Sequence, residues 1–272
     1  MKRRLIAFDL DGTLATSKSA IGELIANRLK DLLTLYDVCV ISGGTFAQFQ
    51  VQLIDRLHVS PADLSRLHLM PTTGTRYFRF DATTLTWTRQ YSDDLTGEQR
   101  ARIVDVLTDG AKSLGFWAPK PQGEIIEDRG SQVTFSALGQ NAPPPMKYTW
   151  DPDGAKKKAL RDYAATRLPE LEVHIGGTTS VDVTNAGVDK AYGMRRLMRI
   201  LDLTNADVLF LGDKLDEGGN DYPVKAMGID TIAVGGWQDC ALAVEAMIAV
   251  TGQGSPGVRP HAPTPNPSLA VR

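Results

Sequence analysis

An apolar run that stops at two carboxylates constrains this chain most. Arg4 is followed by Leu5, Ile6, Ala7 and Phe8, and then at once by Asp9-Leu10-Asp11-Gly12-Thr13-Leu14. Four consecutive apolar residues suit a strand buried on both faces of a parallel sheet. In open α/β sheets, ligands bind beyond the carboxyl ends of the strands, which is where Asp9 and Asp11 fall. Two carboxylates on a tight loop repel each other unless a cation offsets them, and a few carboxylates beside a phosphate suit Mg²⁺. Gly12 can take the positive φ that a sharp turn after the strand needs. Thr13 adds a hydroxyl able to hold a ligand or orient a carboxylate. Alone, these residues could equally close a strand end with an Asx turn, so the rest of the chain decides.

The chain continues as a doubly wound pattern. Ile21 to Leu35 has helical spacing, and Val38 to Ile41 is a second buried strand that ends in Ser42-Gly43-Gly44-Thr45. A serine, glycines and a helix start make a cradle of hydroxyl and backbone N–H groups suited to phosphate, with Ser42 and Gly43 as its candidates. The helix after it carries Phe46, Phe49, Val51, Leu53, Ile54 and Leu57. Strand, helix, strand, helix predicts an α/β core.

From Leu67 the period changes. Tyr77 to Phe80 and Leu85 to Thr88 read as a hairpin, followed by a helix over Thr96 to Leu114. Strand-like segments come next at Glu124 to Glu127 and Gln132 to Phe135, then a proline-rich loop over Asn141 to Pro145 and a helix over Pro152 to Leu168. Two further strands fit Leu171 to Ile175 and Ser180 to Thr184. Segregated strands and helices predict an α+β domain at 82–187, inserted into a core made of 1–81 and 188–250. The core pattern resumes with a helix opened by Asp189-Lys190, a strand over Asp207 to Gly212 ending at Asp213, the loop Lys214 to Asp221, a strand over Thr231 to Val234 and a helix over Ala241 to Val250. Beyond Val250, Gly, Pro and Ser dominate, so 251–272 is predicted to be a disordered tail.

Composition narrows the partners. A net charge of −2 gives no general reason to expect nucleic acid or an anionic membrane. No apolar run approaches the roughly 18 residues of a membrane span, and the N-terminus shows no signal-peptide h-region. Of the two cysteines, Cys39 sits inside an apolar strand, which predicts a buried thiol and a reducing, cytoplasmic setting.

Asp9 with Asp11, Ser42, Lys190, and Asp213 with Asn220-Asp221 then stand in an order that points to one place. All but Lys190 follow the carboxyl end of a predicted parallel strand, and Lys190 begins a helix. A lysine beside several carboxylates neutralises them and can hold a phosphoryl oxygen as a compact charge.

Phe8-Asp9-Leu10-Asp11-Gly12-Thr13-Leu14, Ser42, Lys190 and Gly212-Asp213…Asn220-Asp221 resemble the four motifs of the haloacid dehalogenase-like phosphotransferases. Together with Ser42-Gly43-Gly44, Ile175 to Val183 and Val188-Asp189-Lys190, the pattern is closest to the eukaryote-type phosphomannomutases and related sugar-phosphate phosphatases. The resemblance implies a Rossmann-like parallel-sheet core with an inserted α+β cap of the C2 type. It implies Asp9 as the nucleophile that becomes a phosphoaspartate and Asp11 as general acid/base. Ser42 and Lys190 would hold the phosphoryl group. Mg²⁺ would be bound by Asp9, Asp213 and the backbone carbonyl of Asp11, supported by Asn220 or Asp221. On the cap, Ser180 and Asp182 would bind the sugar, and Arg129 would be the first phosphate-binding arginine.

Here the chain departs from the mutases. Their next two arginine positions fall on Gln140 and Lys147, and Lys18 replaces an arginine near the first motif. Lysine lacks the planar bidentate fork that grips phosphate. A mutase must hold a remote phosphate on the cap while the other reacts; a phosphatase only admits water. The expected activity is therefore Mg²⁺-dependent hydrolysis of a small-molecule sugar phosphate by a monomer or homodimer. A phosphomannomutase is the alternative. A non-catalytic sugar-phosphate-binding module is the second, and it has no need for both Asp9 and Asp11.

Overall fold

The computed structural model describes residues 3–252. In chain order the first unit contains β1 (Leu5–Phe8), α1 (Glu23–Leu33), β2 (Asp37–Ile41), α2 (Phe46–Gln52), α3 (Pro61–Leu64), β3 (Leu67–Met70), β4 (Arg76–Asp81) and β5 (Thr86–Ser92). The second unit contains α4 (Gly97–Ser113), β6 (Ile126–Asp128), β7 (Gln132–Ser136), α5 (Pro144–Trp150), α6 (Ala155–Arg167), β8 (Leu171–Ile175) and β9 (Ser180–Asn185). The chain then returns to the first unit with α7 (Lys190–Ile200), β10 (Val208–Gly212), α8 (Tyr222–Ala226), β11 (Asp230–Ala233) and α9 (Trp237–Gly252). Residues 93–188 form the inserted unit.

The first unit is a seven-stranded sheet in the order β11-β10-β1-β2-β3-β4-β5. Its first five strands run parallel, and β4 and β5 add antiparallel at one edge. Period two explains why the central strands are apolar throughout. Ile6, Phe8, Val38 and Val40 enter one core cluster with α1 and α9, while Leu5, Ala7, Cys39 and Ile41 enter the other with α7. Both cysteines are free and buried; burial pushes both thiols up, Cys240 to about 12.

The expected start of the inserted domain at 82 differs from the fold. β5 pairs with β4 in the larger sheet, so the hairpin belongs to the core and the inserted unit begins at 93. Alternating polarity reports that one face of a strand is buried and does not say in which sheet. The predicted proline-rich loop also hides a helix, α5, which carries Pro at its first positions; a first turn needs no N–H there. The final helix begins at Trp237 rather than Ala241 and runs through Gly252. Residues 253–272, where most of the tail is expected, lie outside the described residues. Among the described residues, no helix is long and apolar enough to cross a membrane.

The inserted unit is a four-stranded antiparallel sheet, order β6-β7-β9-β8, with α4 and α6 packed on one face. Val133, Phe135, Val181 and Val183 meet Ile103, Leu107, Leu160 and Ala164 there. The alternate residues Gln132, Thr134, Ser136, Ser180 and Thr184 are polar and also buried, so the opposite face is a polar one.

A buried histidine gives the core a pH dependence. His68 on β3 meets the Tyr77 hydroxyl through Nδ1 at 2.7 Å, and among the described residues Nε2 has no hydrogen-bond partner. Burial, reinforced by Arg79 and Arg66, lowers its pKa to about 3. Between about pH 6.5 and about 3 the unfolded chain binds a proton here that the folded chain refuses, so stability should fall on acidification by up to about 1.4 kcal/mol per pH unit. Urea unfolding at pH 7 and pH 5 should show this loss in the parent, and a smaller slope in His68→Phe. An unchanged slope would remove His68 as its source.

Candidate active site

The site is assembled from neighbouring strand ends. Phe8, the last residue of β1, lies opposite Val40 of β2 on one side and Leu211 of β10 on the other. Asp9 therefore emerges between Ser42, just beyond β2, and Asp213, just beyond β10. Asp9 stays tied to the sheet, its N–H donating to the Leu211 carbonyl at 3.0 Å.

Lys190 arrives from the other end of the sequence. Asp189 caps α7, its carboxylate accepting the Tyr192 N–H at 2.6 Å, which fixes Lys190 as the helix's first residue. The buried Lys190 ammonium bonds both Asp9 and Asp221, the latter at 2.6 Å. The other Asp221 oxygen accepts the Lys214 N–H at 3.0 Å.

Asp9, Asp213 and Asp221 each offer a carboxylate oxygen within 4.8 Å of the others. Burial pushes Asp9 up, and Asp221 and Asp213 push it further against the opposing pull of Lys190. Burial likewise raises Asp213. Burial alone would lower Lys190, but Asp221 and Asp9 outweigh it and hold the ammonium above the ordinary lysine value. Three carboxylates against the buried Lys190 ammonium and the exposed Lys214 ammonium, 3.5 Å from Asp213, still leave a negative, oxygen-only donor set. Gly12 leaves room beside it at φ +95°, where a Cβ would sit 2.5 Å from Asp213 Oδ2. Such a set fits a hard divalent cation.

Asp221, expected only as support, is thus itself the third carboxylate of this cluster, whereas Asn220 beside it is exposed. Asp11 stands outside the cluster. Its Oδ1 accepts the Lys18 backbone N–H at 2.7 Å and the Gln52 side-chain amide at 3.4 Å. Lys18 itself adopts φ +55°.

Ser42 is buried, and its Oγ lies 3.4 Å from the Gly44 N–H. A capping box between Thr45 and Gln48 starts α2 directly after this loop. A second loop, unanticipated from sequence, braces it: the N–H groups of Thr72 and Thr73 donate to the carbonyls of Gly44 and Ser42 at 2.8 and 2.9 Å. Thr13 is buried, and among the described residues its hydroxyl has no hydrogen-bond partner.

On the inserted unit the expected cap residues share a polar network. Thr134 donates to Asp182 at 2.7 Å, Gln140 donates to Ser136 at 3.1 Å, and the Ser136 and Ser180 hydroxyls lie 3.4 Å apart. Lys147 and Arg129 are buried rather than solvated. The Lys147 ammonium donates to the Gln140 carbonyl at 3.3 Å, and Arg129 pairs with Glu127 at 2.7 Å.

The chain is similar to several known proteins. A phosphomannomutase of Encephalitozoon cuniculi is 25% identical over 93% of this chain and 96% of its own length. Phosphomannomutase 1 of Dictyostelium discoideum is 26% identical over 80% of this chain and 84% of its own. Among solved structures, a haloacid dehalogenase-like hydrolase from Bacteroides thetaiotaomicron aligns with TM-score 0.59 at 17% identity, covering 90% of this chain and all of that one. An N-terminally truncated Plasmodium falciparum IMP-nucleotidase aligns with TM-score 0.69 at 15% identity, over 90% of this chain and 70% of that chain. These two establish the haloacid dehalogenase-like fold. The family model described as eukaryotic phosphomannomutase matches residues 25–233, well over half of the sequence, and the chain therefore belongs to that family.

Proposed function

We propose that the chain transfers a phosphoryl group between the 1- and 6-positions of a hexose phosphate, through a phosphoaspartate on Asp9. The observation that carries this reading is the buried Asp9 carboxylate, bonded by Lys190 at the carboxyl end of the central strand. The family match shifts the balance from the hydrolysis expected from sequence toward the mutase reading.

In this reading an Asp9 oxygen forms a bond to phosphorus while the bond to the sugar oxygen breaks. Asp11 gives its proton to that oxygen and takes one from the next acceptor. Ser42, the Gly43 N–H and Lys190 hold phosphoryl oxygens. Asp9, Asp213 and Asp221 would hold Mg²⁺, with Asn220 left exposed beside them, and the ion would supply neutralisation of phosphoryl charge. Arg129, Lys147 and Lys18 would grip the remote phosphate, and Ser180 and Asp182 the sugar. Buried thiols agree with a cytoplasmic setting.

Hydrolysis is the second reading, and one observation favours it. The resemblance calls for arginines at Gln140 and Lys147, and the Lys147 ammonium is engaged with the Gln140 carbonyl. Product analysis separates the two, using mannose and glucose 1- and 6-phosphates with Mg²⁺. Interconversion that depends on a hexose 1,6-bisphosphate, with little free phosphate, is the expected result. Free phosphate released without that activator would assign a phosphatase instead.

The Gly12 turn provides a separate check. In Gly12→Ala the new methyl would meet Asp213 at a φ that costs a side chain roughly 1–3 kcal/mol. Displacing Asp213 should weaken Mg²⁺ binding by about tenfold or more in calorimetric titration. Unchanged affinity would separate Asp213 from the metal.

A further inference from the structure

We propose that Gln52 is a positioning residue that presents one chosen oxygen of Asp11 to the reacting group. Gln52 is the last residue of α2 and only 6% exposed. It touches the segment after β1 twice. Its backbone carbonyl accepts the Ile21 N–H at 2.9 Å, and its side-chain amide reaches Asp11 Oδ1 at 3.4 Å. Lys18, held in the left-handed region, donates its N–H to the same Oδ1 at 2.7 Å. Among the described residues no hydrogen bond reaches Asp11 Oδ2.

Two N–H donors on one oxygen orient the carboxyl and decide which oxygen handles the proton. A proton on Oδ1 would face both donors and break their bonds, so it resides on Oδ2, the oxygen left for a ligand. The amide does not titrate, so Gln52 can hold this orientation in both half-reactions, when Asp11 gives its proton and when it takes one. α2 thus serves the site at both ends: its start adjoins the Ser42 loop and its end fixes Asp11. The inference rests on the proposed transfer to Asp9. In that step an Asp9–phosphorus bond forms, the phosphorus–sugar oxygen bond breaks, and the proton on Asp11 Oδ2 moves to the departing oxygen.

The test uses the leaving group. A sugar alkoxide needs that proton; the phenolate released from 2,4-dinitrophenyl phosphate does not. In Gln52→Leu, close in volume, turnover of the hexose phosphate should fall by about tenfold or more, with KM held within about twofold. The dinitrophenolate burst should keep its amplitude and its rate to within about twofold, which also shows the chain is folded. Gln52→Glu keeps the length but accepts where the amide donates, so it should lose activity in the same pattern and carries the test if the leucine variant does not fold. Equal slowing on both substrates, a change in KM alone, or full activity in Gln52→Glu would overturn the proposal. A parent chain that gives no burst would instead overturn the phosphoaspartate reading, and this inference with it.

Discussion

Asp9→Asn should lower phosphoryl transfer by about 10⁴-fold or more, the scale on which an enzyme feels the loss of its covalent nucleophile. The fold should survive. The amide matches the carboxylate in shape, and Lys190 keeps its 2.6 Å bond to Asp221. Burial and the carboxylates of Asp221 and Asp213 push the Asp9 carboxyl up, which means that its charge is held at a cost. Without divalent cation, the variant should therefore be as stable as the parent or more so, the usual relation between a strained site and its scaffold. Two measurements check it: labelled phosphate trapped on the protein, and the urea midpoint in chelator. Retained turnover would remove Asp9 as nucleophile. Lost turnover together with a lower midpoint would give Asp9 a structural role instead.

Lys190→Ala should do the opposite to stability. The ammonium bonds both Asp9 and Asp221, and all three groups are buried. Removing one partner of a buried ion pair strands the other charge and typically costs about 3–5 kcal/mol. Urea unfolding without divalent cation should show a loss of that order, and Mg²⁺ should restore part of it by binding the folded state only. Adding Asp221→Asn to Lys190→Ala should also recover stability, since it removes a stranded carboxylate. The pH dependence has a definite sign. Carboxylates with raised folded pKa bind protons before the unfolded chain does, so the penalty should shrink as pH falls. A cost under about 1 kcal/mol would mean that the carboxylates do not depend on Lys190.

Much of the core was legible because burial on both faces leaves a plain trace. β1, β2 and β10 are short apolar runs, each followed by a polar residue at its carboxyl end, and that placement alone brings Asp9, Ser42 and Asp213 side by side. Lys190 was legible because Asp189 before it is a capping residue. Other features leave no such trace. The hairpin of β4 and β5 alternates as a strand in either sheet would, so its membership of the core was not readable. α5 begins with prolines, which mark a helix start and a loop equally. Asn220 and Asp221 are adjacent, and only the turn decides which one faces Lys190. Gln52 did leave a faint mark, as a polar residue three positions after Phe49 on a buried helical face, but its partner Asp11 lies 41 residues away.

The inserted unit has a consequence for how the chain is made. Lys190 and Asp9 are 181 residues apart in sequence, and β10, which lies directly beside β1, comes after the whole of 93–188. During synthesis, then, β1 waits with one edge unpaired and Asp9 without its counter-charge until the ribosome has passed the insertion. At about 5–20 residues per second, those 181 residues alone take roughly 9–36 seconds. An open apolar strand edge is a template for wrong pairing, so a longer wait gives more opportunity for it. Slowing translation within the insertion should increase aggregation of nascent chains, and slowing it after β11 should not.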